Sequence, residues 1–326
     1  MKKFLIFFIV IFIAAILFIV KNQKPITLTK TQSAPKNESP LSIKFMRAQN
    51  YPGSDIQIEQ ELADGSNYKQ YIASYKSDNL KIYALLTVPI GDKPQNGWPV
   101  IIFNHGYIPP QQYQTTERYI AYVDTFARNG YIVFKSDYRG NGKSEGQAEG
   151  AYYSPAYATD ILNAISSIKK YKDANPNKIG MWGHSMGGNI TLRDIEVSSD
   201  IKAAVIWGGV TGSYDDLMNN WQRRVPFQPP PGQLSDRNRG RSGLVQQYGA
   251  PKDNPTFWNT IDPFYNVNFI NAPIQLDHGE ADEEVPLAFS QNLKTALIAA
   301  GKSVELYTYP GADHNISQSF SVTIQR

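Results

Sequence analysis

Three short stretches hold residue types that could make and break an acyl bond. Gly183-His184-Ser185-Met186-Gly187 fits the pattern G-x-S-x-G. There the serine sits on a sharp strand-to-helix turn, and bulk at either flanking glycine would strike neighbouring backbone. A serine hydroxyl is a poor nucleophile alone. It needs a base beside it, and the base needs an acid to orient its ring. The chain has 4 histidines, so the base is sought by elimination. His184 lies inside the turn and is expected to point away from Ser185. His105 precedes a glycine after an apolar run, and His278 comes before the acidic stretch. His314, in Pro310-Gly311-Ala312-Asp313-His314, is the expected base.

The acid is expected between Ser185 and His314, in the loop after a late strand. His278-Gly279-Glu280-Ala281-Asp282-Glu283-Glu284-Val285-Pro286 supplies several carboxylates. Asp282 is preferred as a short carboxylate beyond the strand, with Glu280 and Glu283 as alternatives. Asp277 is expected to end the strand, and Asp313 is badly placed to align the ring next to it. Acyl transfer also needs donors aimed at the developing oxyanion. The Met186 N–H is one, at a helix N-terminus where free N–H groups and the dipole favour negative charge. The second is expected from Asn104-His105-Gly106-Tyr107, with the Tyr107 N–H preferred.

Such groups work only if rigid elements hold them. Residues 100–103 form a wholly apolar run, as expected of a strand buried on both faces. Similar strands are expected at 131–134, 178–182, 203–207, 273–276 and 304–309. Helical spacing is expected at 119–128, 157–171, 186–197 and 287–300, the second with Ile161, Ala164, Ile165 and Ile168 on one face. Ahead of these, 68–75 and 80–89 alternate with period two around Ser77-Asp78-Asn79, an antiparallel hairpin, and 56–61 is a weaker strand. The alternation implies an α/β fold with a mostly parallel, doubly wound sheet. Residues 210–271 break it and are expected to be an inserted lid. Trp221, Phe227, Trp258 and Tyr265 there are either an aromatic acyl pocket or the lid's own core. Arg223, Arg224, Arg237, Arg239 and Arg241 read first as a solvated face, with binding of an acidic substrate group as the alternative.

Composition narrows the alternatives. The chain has 326 residues, long enough to bury a sizeable core. Net charge is +3, from 32 Lys+Arg against 29 Asp+Glu, which argues against a nucleic-acid partner. The absence of cysteine excludes a disulfide scaffold, a thiolate zinc site and a cysteine nucleophile. No metal or cofactor is implied. Residues 4–20 are 17 apolar residues without charge, behind Lys2 and Lys3 and ahead of Lys21 and Lys24. That is long for a signal h-region and short for a span. We expect residues 1–21 to be an N-terminal signal anchor, ahead of a cleaved signal peptide, with a buried helix third. Either leading reading places the remainder outside the cytoplasmic membrane. Residues 22–40, rich in Lys, Thr, Ser, Asn and Pro, are expected to be a linker, and 41–326 the folded domain.

Together the motifs resemble the α/β-hydrolase fold, and within it the prolyl-oligopeptidase-like and acyl-aminoacyl-peptidase-like serine hydrolases. The matching residues are His105-Gly106-Tyr107, Asp137-Tyr138-Arg139-Gly140-Asn141-Gly142-Lys143-Ser144, Gly183-His184-Ser185-Met186-Gly187-Gly188, His278-Gly279 with Asp282 and Val285-Pro286, and Tyr309-Pro310-Gly311-Ala312-Asp313-His314. The resemblance implies a Ser185-His314-Asp282 triad, an oxyanion hole of Tyr107 and Met186, and a bracing role for Asp137 to Gly140. It implies a small-molecule ester or short-peptide substrate. Too few residues precede Val100 for the β-propeller of many peptidase relatives, and Asn189 stands where peptidases often have Tyr. Both tilt the expectation to an esterase, with a peptidase second. The chain ends 12 residues after His314, so the usual closing helix is expected to be short or absent. A non-catalytic binding protein on this scaffold would have a broken triad, whereas all three residues are present.

Overall fold

The computed structural model describes residues 38–221, 223 and 234–326. The expected anchor or signal at 1–21, nearly all of the linker, Arg224 and Phe227 lie outside the described residues, as do the side chains of Arg237 and Arg239.

Among the described residues the fold is built on a nine-stranded sheet, whose strands, counted along the chain, lie side by side in the order first, second, third, fifth, fourth, sixth, seventh, eighth, ninth. β2 (Tyr68–Ser77) and β3 (Leu80–Pro89) form the expected hairpin, in register from Ser77 opposite Leu80 to Tyr68 opposite Pro89. Its two-residue turn puts Asp78 and Asn79 at φ 49° and 66°. Asp and Asn are the non-glycine residues that best tolerate this conformation. β1 (Gln57–Glu61) adds an exposed antiparallel edge. β4 (Trp98–Asn104), β5 (Ile132–Ser136), β6 (Ala174–His184), β7 (Ile201–Trp207), β8 (Ile274–Gly279) and β9 (Val304–Tyr309) run parallel.

Helices cover both faces, as a parallel sheet requires. α1 (Ile43–Ala48), α3 (Ala156–Ile168), α4 (Met186–Val197), α6 (Pro255–Ile261) and α7 (Leu287–Ala299) share one core with Ile102, Met181 and Ile206. α2 (Ile120–Arg128) and the short α8 (Phe320–Thr323) pack on the other, over Phe103, Val133, Trp182 and Trp207. A groove of about 1180 Å³ on that second face, lined by Ile101, Phe126, Val205 and Ile324, runs along the starts of the strands. Ser185 follows the end of β6, so this groove is no part of its site.

The insertion between β7 and β8 is helical where described. It contains a π-turn at Asp216–Asn220, α5 (Leu234–Tyr248), α6 and two single turns at Pro263–Tyr265 and Val267–Phe269. Trp258 is core, which corrects its place among the pocket candidates. It is 1% exposed, lies 5.1 Å from the Tyr214 ring at a tilt of 59°, and donates its indole N–H to the Gly249 carbonyl at 3.0 Å.

Candidate active site

β6 ends at His184 and α4 begins at Met186, so Ser185 alone makes the turn. Its φ of 55° and ψ of −118° are strained for a residue with a Cβ, at a cost of roughly 1–3 kcal/mol. Hydrogen bonds hold the strain: Ser185 N–H donates to the Trp207 carbonyl, and its own carbonyl accepts from Gly188 and Val210, each at 3.0 Å. The flanking glycines are sterically required. A Cβ on Gly183 would lie 2.4 Å from the Gly187 carbonyl oxygen, and one on Gly187 would lie 1.9 Å from the Asn104 carbonyl oxygen.

His314 follows β9, and its Nδ1 donates to Asp282 Oδ2 at 2.7 Å. Both residues are 7% exposed. The two loops that carry them are stitched together by Glu280 N–H to the Tyr309 carbonyl and Ala281 N–H to the Ala312 carbonyl, each at 3.0 Å. Asp282 Oδ1 accepts from the Glu284 and Val285 N–H groups at 2.8 and 2.9 Å. His278, fully buried at the end of β8, brings its Nε2 to within 3.2 Å of Asp282 Oδ2. Burial alone would raise the Asp282 carboxyl. The hydrogen bonds from His278 and His314, with the His314 charge and the Val285 N–H, instead hold it below the usual aspartate range. Of the three carboxylates weighed from the sequence, Asp282 is the one against His314. Glu280 is exposed and accepts from the Thr308 hydroxyl at 2.8 Å, and Glu283 is exposed.

His184 does more than its position in the motif suggested. Its ring lies 4.6 Å from that of His314, and its Nε2 donates to the His314 carbonyl at 3.1 Å. The turn that carries Ser185 is thereby joined to the loop that carries His314. On the opposite side, a Cβ built on Gly106 would stand 3.2 Å from the Ser185 Cβ, so the loop with Tyr107 closes on the serine. Met186 is the first residue of α4, and Tyr107 is 40% exposed.

The remaining candidates separate. Trp221 joins the acid loop, its indole N–H donating to the Glu284 carbonyl at 2.7 Å and its ring 6.2 Å from Phe289. Arg223 lies over that ring at 4.7 Å and 3.8 Å from the Glu284 carboxylate. Tyr265 is 52% exposed and edge-on to Phe264. The Asp137 stretch braces the surroundings, as the resemblance implied. Asp137 accepts from the Tyr113 and Thr115 hydroxyls at 2.9 and 2.6 Å, while Arg139 binds Asp160 at 2.7 Å and Asp78 at 2.8 Å.

A nine-stranded, largely parallel sheet with a strained serine at the end of β6, and an Asp–His pair beyond β8 and β9, defines an α/β-hydrolase. Comparison with known proteins places it more narrowly. Residues 98–227 match the family model described as serine aminopeptidase, S33, and residues 242–324 match the prolyl oligopeptidase family. The uncharacterized peptidase YtmA of Bacillus subtilis is 27% identical over 248 residues, covering 75% of this chain and 85% of YtmA. The uncharacterized peptidase YuxL of the same organism is 25% identical over 74% of this chain, which spans only 35% of YuxL. Among solved structures, an acetyl xylan esterase from Paenibacillus sp. R4 superposes with a TM-score of 0.63 at 16% identity, covering 90% of this chain and 97% of that one. An acylaminoacyl peptidase from Pyrococcus horikoshii superposes with a TM-score of 0.59 at 22% identity, covering 80% and 42%. The chain is a serine hydrolase of the α/β-hydrolase fold, a peptidase or an esterase, and its catalytic domain resembles those of the prolyl oligopeptidases.

Proposed function

We propose that the chain hydrolyses a carboxylic ester or small amide through an acyl-enzyme formed on Ser185. The observation that carries this reading is the 2.7 Å His314–Asp282 hydrogen bond, held in loops that meet the Ser185 turn through His184. Ser185 Oγ attacks the carbonyl carbon as its proton passes to His314 Nε2. The oxyanion is held by the Tyr107 and Met186 N–H groups. His314 then gives the proton to the leaving alcohol or amine. Water, deprotonated by His314, attacks the acyl carbon, and the serine recovers the proton as the acid departs. Asp282, kept ionised, fixes the Nδ1–H tautomer and stabilises the imidazolium. The insertion acts as a lid in this reading, with Trp221 beside the acyl group.

A peptidase is the second reading, supported by the peptidase names of the relatives and by the prolyl oligopeptidase family match at 242–324. A fluorophosphonate probe tests the common core: wild type labels with unit stoichiometry and Ser185→Ala does not label. Short acyl esters against aminoacyl arylamides then separate the two readings. The uncharged run at 4–20 supports a location outside the cytoplasmic membrane. Carbonate extraction and N-terminal sequencing of the expressed protein test anchor against cleaved signal.

A further inference from the structure

The loop after β4 is held on three sides, and one of the holding groups reaches across the site. The His105 carbonyl accepts from the Tyr138 hydroxyl at 3.2 Å. His105 Nδ1 donates to the Gly106 carbonyl at 2.7 Å. A trans peptide directs its C=O and N–H oppositely, so this bond turns the Tyr107 N–H away from His105. The Gly106 N–H donates to the Tyr119 hydroxyl at 2.8 Å. That hydroxyl also lies 2.7 Å from His184 Nδ1, and a Cβ on Gly106 would meet it at 2.7 Å.

One proton arrangement satisfies the whole chain of bonds. The His314 carbonyl can only accept, so His184 Nε2 carries the hydrogen. His184 is neutral, because burial and then the nearby His314 push its imidazole down to about 3. Nδ1 therefore has a lone pair and accepts from the Tyr119 O–H, whose oxygen accepts from Gly106. The sequence runs from Gly106 through Tyr119 and His184 to His314. It crosses the site without using Ser185. The backbone is strained to allow it: Arg118 and Tyr119 both have positive φ, 57° and 54°, just ahead of α2. Two successive non-glycine residues there are costly, and such strain concentrates at functional sites. The Tyr119 ring packs against Phe103, Tyr122 and Trp182, with centroids at 5.4, 5.5 and 6.2 Å, so its hydroxyl is fixed.

We propose that Tyr119, acting with His184, is a positioning residue that locks the oxyanion loop to the loop of the catalytic base. This rests on the serine-hydrolase reading of Ser185. The bridge serves the transition state more than the bound substrate. It fixes where the Tyr107 N–H meets the oxyanion, and it keeps His184 neutral beside His314 when His314 becomes an imidazolium.

Tyr119→Phe removes the hydroxyl and keeps the ring. Active-site titration with a fluorophosphonate comes first: if wild type does not label, the serine-hydrolase reading fails, independently of the bridge. With wild type labelled, the variant is expected to titrate fully. Its kcat on a short acyl ester should fall about tenfold or more with KM within twofold. A trifluoromethyl ketone inhibitor should weaken by a similar factor. His184→Gln probes the other end of the bridge, should Tyr119→Phe fold poorly, and should give the same kcat-selective loss. The double variant should lose little more than either single one, because bridge partners are not additive. An unchanged kcat per titrated site in either variant, or losses that multiply in the double variant, would overturn the proposal.

Discussion

Asp282 is the residue whose surroundings leave least freedom. Its Oδ2 receives the His314 Nδ1–H at 2.7 Å, and its Oδ1 receives two backbone N–H groups. Every one of these partners is a donor, so the site accepts a carboxylate and rejects a group carrying hydrogens. An amide in its place must turn an NH₂ toward either the His314 N–H or the backbone N–H pair. Asp282→Asn is therefore expected to lower kcat about 10⁴-fold, the scale seen when a triad acid becomes an amide. Glu280→Gln and Glu283→Gln should stay within about twofold, because both carboxylates are exposed. Steady-state hydrolysis of a short acyl ester measures all three. The pairing of Asp282 with His314 was legible in the sequence from chain order and side-chain length. His278 was seen only as a histidine that comes too early. Its contact with Asp282 arises because β8 extends to Gly279, which puts His278 inside the strand with its ring turned to the following loop.

The unit formed by β6, Ser185 and α4 depends on how closely the helix approaches the neighbouring strand. A Cβ on Gly187 would lie 1.9 Å from the Asn104 carbonyl oxygen and 2.8 Å from that of His105. Both are backbone atoms, so a side chain there cannot be accommodated by rotamer changes. The first turn of α4 must lift from the end of β4, which separates Ser185 from the loop that carries Tyr107. Gly187→Ala is expected to cost roughly 1–3 kcal/mol in overpacking. It should also slow fluorophosphonate labelling more than 100-fold, beyond the loss in folded protein followed by circular dichroism. Elements like this one were legible because apolar runs of four or five residues alternate with helical spacing. Those that were not have physical reasons. α1 is a six-residue helix capped by the Ser42 hydroxyl, too short to show a period. The start of β6 is Ala174-Asn175-Pro176-Asn177, whose polar residues hide a strand. Trp258 gave no sign of burial because its indole N–H finds the Gly249 carbonyl, so a polar-aromatic residue enters the core at little cost. The Tyr119–His184 contact spans 65 positions, and no local pattern records it.

At the scale of the molecule, the sheet buries charge where it supports the site. Lys135 sits in β5 at 1% exposure, with its ammonium 3.1 Å from the Glu117 carbonyl and 5.8 Å from the Tyr113 ring. Asp137, two residues on, holds Tyr113 and Thr115 of the same segment, and burial raises its carboxyl to about 6. The two together brace the segment that follows the Tyr107 loop, at a cost in desolvation. Burial lowers the Lys135 ammonium from 10.5 to about 8, with Asp137 opposing the shift. The folded chain thus releases that proton more readily than the unfolded chain. Between those two values the unfolded state binds more protons, so this group makes stability rise with pH across that window. Below it the penalty is present in full, and above it the penalty is gone. Lys135→Met removes the titration and keeps the apolar stem. Relative to wild type, the variant should be at its most favourable near neutral pH. Its relative advantage should shrink steadily as pH rises from about 8 to 10.5, by an amount on the order of 3 kcal/mol. Urea unfolding of both proteins at several pH values across that range measures the difference, in which the other titrating groups cancel. A difference that stays flat with pH would mean that Lys135 keeps its proton in the folded chain as firmly as in the unfolded one.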